Sequence, residues 1–160
     1  RDFVDLMDDL IHENGHHHLN YYLNCSKLID EPLEMIYYSP WRRTLRPLRG
    51  IYHAYFTFFW AYKLFFDLAS ADLGSFPGHK FTEAEKEKIL WRVIEEFWML
   101  QYSFKDLQWA KRKGLIHAEG WKLIAAQQQE LKKGLKKISL WEKKLRRHKK
   151  DLQKLKVTLK

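Results

Sequence analysis

The sequence predicts a mainly α, single-domain protein, and three observations carry that expectation. Apolar residues recur three and four apart along most of the chain. Gly and Pro are scarce, at 7 and 4, and gather in a few short stretches. No alternating apolar–polar stretch of convincing strand length is present. A length of 160 residues suits one domain, and 46% hydrophobic with 31% charged content excludes collagen-like, linker-like and disordered classes.

The first helix is expected over Phe3–Leu23, where Phe3, Leu6, Met7, Leu10 and Ile11 mark one face. Residues Asp30–Trp41, with Pro32, Pro40 and several Tyr, read as an extended connection. Pro40 and Pro47 bracket an Arg-rich turn that a regular helix would not hold in its interior. An aromatic helix follows Gly50. Its stretch Ile51–Leu68 is the best candidate for a membrane span, yet His53, Lys63 and Asp67 interrupt it, so a buried core helix is expected.

A loop rich in Gly and Pro falls between Asp72 and Lys80. Thr82 with Glu85 three residues later is a capping box and opens a helix through about Leu107, which Lys111–Gly114 closes. Another helix is expected from Ala118–Glu119 toward Leu131. Residues 1–130 would form the helical body, and 131–160 one basic amphipathic helix, packed on the body or projecting. Its apolar positions 131, 135, 138, 145, 152, 155 and 159 are three, four or seven apart.

The net charge of +9 belongs to that last segment. Residues 131–160 carry 13 Lys/Arg against 2 Asp/Glu, while residues 1–130 are close to neutral. A basic tail is poor evidence that the whole domain binds nucleic acid, and no aromatic residue follows Trp141 to stack bases. An acidic peptide segment is the preferred partner for it. The N-terminal stretch is acidic and lacks the basic start and apolar run of a signal peptide. Cys25, the single cysteine, cannot form an internal disulfide, which fits a cytoplasmic setting. The chain opens on Arg1 directly into a patterned segment, as a piece of a longer protein would.

The most informative string is Leu10-Ile11-His12-Glu13-Asn14-Gly15-His16-His17-His18-Leu19-Asn20. His12 and His16 lie four apart on the expected helix, so both imidazoles can reach one metal ion. Glu13 is rotated by about 100° from His12 and stands beside such an ion, where a zinc peptidase would use it as general base. His17 and His18 point off that face. The long pattern HExxHxxGxxH is excluded, because Leu19 and Tyr22 stand where it needs Gly and His.

The third ligand decides the chemistry. Glu83, Glu87, Glu95 and Glu96 are available from a later helix, but His53 is the better candidate, directly after the Arg-rich turn. A buried core histidine is the competing reading there. The turn places Arg42, Arg43, Arg46 and Arg49 within eight residues. Guanidinium groups grip carboxylates through paired hydrogen bonds, so the cluster suits a dicarboxylic cosubstrate; solvated or helix-capping arginines are the alternative.

The pair LIHENGHHHLN and SPWRRTLRPLRGIYHA resembles the HExxH-motif family of 2-oxoglutarate-dependent peptide β-hydroxylases. Pro40, Trp41, Arg42, Arg46, Pro47, Gly50 and His53 reproduce its P-W-R…R-P…G…H block, and Gly114–Gly120 resembles a further element that opens the closing helix. The resemblance spans roughly residues 5–130. It implies Fe(II) held by His12, His16 and His53, with 2-oxoglutarate and dioxygen as cosubstrates and a ribosomally made precursor peptide as substrate. It also implies that Arg46, helped by Arg42, holds the far carboxylate of 2-oxoglutarate and that Glu13 orients ligands. Glu13 or Asp9 could ligate instead of His53. Tyr52, Tyr55, Phe56 and Phe59 would wall the pocket or simply form core. A zinc metallopeptidase with Glu13 as base, and a non-catalytic helical interaction domain, are the alternatives.

Overall fold

The computed structural model describes residues 2–71, 77–145 and 148–159, and within them the protein is mainly helical. In chain order the elements are α1 (Phe3–Cys25), β1 (Tyr37–Ser39), β2 (Thr44–Arg46), α2 (Leu48–Ser70), α3 (Glu83–Arg112), α4 (Ala118–Lys133), α5 (Leu135–Lys144) and α6 (Lys149–Thr158). The capping box expected on α3 forms, and α1 carries a second one that was not expected from the sequence. Asp2 and Asp5 form a reciprocal capping box on α1, and Thr82 and Glu85 form one on α3. Each satisfies backbone donors that a helix start leaves unpaired.

The aromatic helix α2 is the centre of the molecule. It packs on α1 on one side and most extensively on α3 on another, with α4 and the strands also against it. Tyr52, Tyr55, Tyr62 and Phe65 are almost wholly buried, as are Phe97 and Leu100 of α3. Two of these tyrosines are anchored by their hydroxyls. Tyr52 donates to the Gly120 carbonyl at 2.8 Å and Tyr55 to Gln128 Oε1 at 2.8 Å. Those bonds tie α2 to α4 and spare two buried hydroxyls the cost of being unpaired. No helix of the described residues is long and apolar enough to cross a membrane.

Two expectations change. The Arg-rich turn is the tip of a small antiparallel hairpin, with Tyr37 opposite Arg46, Tyr38 opposite Leu45 and Ser39 opposite Thr44. Three-residue strands are too short to register as alternation in a sequence. The segment 131–160 is not one helix. α4 runs on to Lys133, Gly134 separates it from α5, which ends at Lys144, and α6 starts at Lys149. A side chain at Gly134 would collide with the Tyr62 hydroxyl, so that position approaches α2 too closely for any Cβ. Ile138, Trp141, Leu145 and Leu152 are buried, and α5 and α6 both pack on α3. The expected Gly/Pro loop lies partly outside the described residues, at 72–76.

Candidate metal centre

On α1, His12, Gly15, His16 and Leu19 share the face that meets α2, with Gly15 and Leu19 buried. A glycine inside a helix costs roughly 0.5–1 kcal/mol relative to alanine. Here it permits contact, because a Cβ on Gly15 would stand 3.1 Å from the Thr57 Cα and 3.4 Å from its Cβ. That close approach brings the two histidines of α1 against the turn of α2 that carries His53, Thr57 and Phe58. The Thr57 hydroxyl donates to the His53 carbonyl at 2.9 Å, which keeps it out of the helix interface as a free polar group.

The rings then meet. His12 Nε2 and His16 Nε2 are 3.1 Å apart, and the rings stand perpendicular with centroids 4.7 Å apart. Two nitrogens held about 2.1 Å from one ion at right angles are about 3.0 Å apart, so the pair is spaced for neighbouring positions on a single cation. The His53 ring lies 6.2 Å from that of His16. Among the described residues, His53 Nε2 and His12 Nδ1 are buried without a hydrogen-bond partner. Burial pushes His53 down to about 4, helped by Arg49 and His16, and burial with His16 beside it holds His12 below the usual histidine range. Both rings are therefore neutral near pH 7, the form that ligates metals. This donor set fits a divalent transition metal.

The hairpin supplies the opposite wall. Its loop, Pro40–Arg43, closes with the Arg43 N–H donating to the Ser39 carbonyl at 2.7 Å and Arg43 at φ 53°. Trp41 turns inward. Its indole N–H donates to Glu96 Oε2 at 2.7 Å, and its ring stacks on Phe58 at 4.7 Å and 6°. Phe58 in turn lies 4.4 Å from the His12 ring. Arg42, Arg46 and Arg49 join His12, His16 and His53 around one cavity of about 290 Å³. Gly50 gives the Arg46 side chain room to lie over the first turn of α2, since a Cβ there would come within 3.0 Å of Arg46 Nε. Helix α2 starts at the same cavity with no side-chain cap and no acid in its first turn, so its positive end faces in.

Among the described residues Arg42, Arg43 and Arg46 form no ion pair, whereas Arg49 pairs with Glu31 at 2.8 Å. The histidine cluster thus borders guanidinium groups free to take an anion.

The sequence-predicted residues divide. His12, His16, His53, Arg42 and Arg46 line one cavity. Glu13 does not line it and is exposed, although its carboxylate lies within 4.8 Å of ligand atoms of His12 and His16. His53 is outside that tightest group. Glu83 pairs with Lys86, and Glu95 and Glu96 both lie near Arg92, so these later carboxylates are engaged elsewhere. Tyr52, Tyr55, Phe56 and Phe59 are core, and α2 lines the cavity through Ala54, Thr57 and Phe58 instead. Trp41 as the link between α3 and the site was missed. Its position inside the Pro40-Trp41-Arg42 string was the available signal. No protein-family model, curated protein or solved structure matches this chain.

Proposed function

We propose that the chain is an Fe(II)- and 2-oxoglutarate-dependent hydroxylase of a β-carbon in a ribosomally made precursor peptide. One observation carries this reading: three imidazoles and two unpaired arginines, Arg42 and Arg46, border a single small cavity. A hydrolytic metal site needs no guanidinium pair, whereas a diacid cosubstrate does. His12, His16 and His53 would hold the iron, leaving positions for a bidentate keto acid and dioxygen. Bound there, iron with 2-oxoglutarate supplies the oxidation: one oxygen atom of dioxygen enters the C–H bond, the other enters succinate, and carbon dioxide leaves.

The chain's own residues do the rest. Arg46, with Arg42, grips the far carboxylate and orients the cosubstrate, aided by the uncapped start of α2. Phe58 and Trp41 keep water from the His12 side and fix that ring's tilt. Glu13 steadies the α1 rings from outside the cavity. The basic surface of α5 and α6 holds an acidic leader segment of the peptide, an attraction that weakens as salt screens exposed charges.

A zinc peptidase is the second reading, favoured by the short reach from Glu13 to both α1 histidines. Anaerobic loading with Fe(II) and 2-oxoglutarate, followed by air and a peptide, separates the two. Succinate formed with a product heavier by one oxygen atom supports the hydroxylase; peptide cleavage without succinate supports the peptidase. Failure of either metal to bind leaves an interaction domain.

A further inference from the structure

Strand β2 is a free edge beside the cavity. All three of its residues are exposed, and β1 is its one strand partner among the described residues. No backbone group of Thr44, Leu45 or Arg46 bonds to anything outside the hairpin among those residues. In an antiparallel pair every second residue turns its N–H and C=O away from its partner, so β2 presents unmet donors and acceptors to solvent. Proteins usually cover or charge such an edge. This one is bordered by exposed apolar side chains, Leu45 at 49% and Ile36 at 57% exposure.

The register assigns the two faces of this edge. Directly opposed residues share a face, so Tyr37, Ser39, Thr44 and Arg46 lie on one side and Tyr38 and Leu45 on the other, with Ile36 continuing the second. Ser39 and Arg46 both line the histidine cavity. A strand added along β2 would therefore turn the residue opposite Arg46 toward the cavity and the residue opposite Leu45 away from it, onto an apolar surface.

We propose that the outer edge of β2 docks the peptide substrate as an added, extended strand, delivering one side chain to the histidine cavity while its neighbour packs on Leu45. The peptide would carry an apolar residue next to the presented one and an acidic residue toward the hairpin tip, where Arg43 has no acidic partner among the described residues. This rests on the reading of the substrate as a peptide and not on the iron chemistry.

The test uses the full chain and random dodecapeptides displayed on phage, with enriched sequences resynthesised and their affinity measured by fluorescence anisotropy. Enriched peptides should alternate apolar residues and contain Asp or Glu. Methylating each interior peptide amide in turn should weaken binding at every second position and be silent between, the signature of strand pairing. Leu45→Asp should lower affinity roughly tenfold or more, Leu45→Val should restore it, and circular dichroism should show both folded. Glu83→Gln, an exposed residue at the start of α3 that does not line the cavity, should leave affinity unchanged. No enrichment, methylation effects without a period of two, or full affinity in Leu45→Asp would overturn the proposal. Strand-like binding without hydroxylation would overturn the iron reading and leave the docking edge standing.

Discussion

The start of α1 and the stretch from His12 onward treat their polar side chains in opposite ways. At the start Asp2 and Asp5 both reach Lys88, at 2.9 and 2.7 Å, and Asp8 reaches Arg92. The Lys88 ammonium holds the Asp2 and Asp5 carboxyls below the usual range. From His12 onward the histidines His12 and His16 face α2, and His12 Nδ1 and the neighbouring His53 Nε2 find no partner among the described residues. Leaving a buried polar atom unpaired costs about 1–3 kcal/mol, so a fold optimised for stability alone would have paired or removed them. The start clamps α1 to α3. The stretch from His12 onward leaves buried imidazole nitrogens unpaired, as the proposed metal site would require.

The largest expected effect tests that contrast directly. His16→Ala should weaken Fe(II) or Co(II) binding by more than the ~10–100-fold that loss of an outer partner costs. Its folding stability should shift by less than about 1 kcal/mol, since the side chain makes few other bonds. Isothermal titration and urea unfolding read the two quantities. A large stability loss without a binding loss would show that the stretch of α1 from His12 onward is structural.

Arg92→Met should do the reverse. Arg92 faces Asp8, Glu95 and Glu96, and its removal leaves the half-buried Asp8 and Glu95 carboxylates without their cation, at a cost of roughly 1–3 kcal/mol. Urea unfolding at pH 7 checks it, with metal affinity expected to fall far less than in His16→Ala.

Gly15→Ala sits at the boundary. The added methyl gains helix propensity but crowds the Thr57 backbone, for a net destabilisation of about 1 kcal/mol. The more telling readout is metal affinity, which should drop as α1 moves off α2.

The smallest effect sharpens the link through Trp41. Burial pushes Glu96 up to about 8, above its ordinary value near 4.5, against the opposing pull of Arg92 and the Trp41 N–H. The folded protein then holds a proton that the unfolded chain releases between about pH 5 and 8, so stability contributed by this group is full at the acid end and lost as pH rises through about 8. Glu96→Gln, which keeps an acceptor for Trp41, should flatten that slope in unfolding curves measured across the window.

Much of this was legible in the chain because it is local. The Thr82–Glu85 capping box, the 3.6-residue repeat of α1, and the four-residue spacing of His12 and His16 depend on neighbours a turn away. The prolines around the Arg-rich turn announced a break in helix, though not the hairpin. Other features depend on approach between distant segments. That Glu13 faces solvent while Phe58 and Thr57 line the cavity follows from how α1 rotates onto α2, and no spacing records that rotation. That α4 gives way to α5 at Gly134 goes with the close approach of that position to Tyr62, a residue on another helix.

By itself the amino-acid sequence determined which segments are helical, where the two α1 imidazoles lie on one face and where arginines concentrate, since short-range backbone and side-chain preferences set all three. Only the tertiary structure decided that His53 and the Arg42–Arg46 hairpin arrive at those imidazoles, that Trp41 bonds Glu96, and that β2 stays uncovered. Those outcomes depend on packing between residues tens of positions apart, where van der Waals fit at places such as Gly15 against Thr57 selects one arrangement.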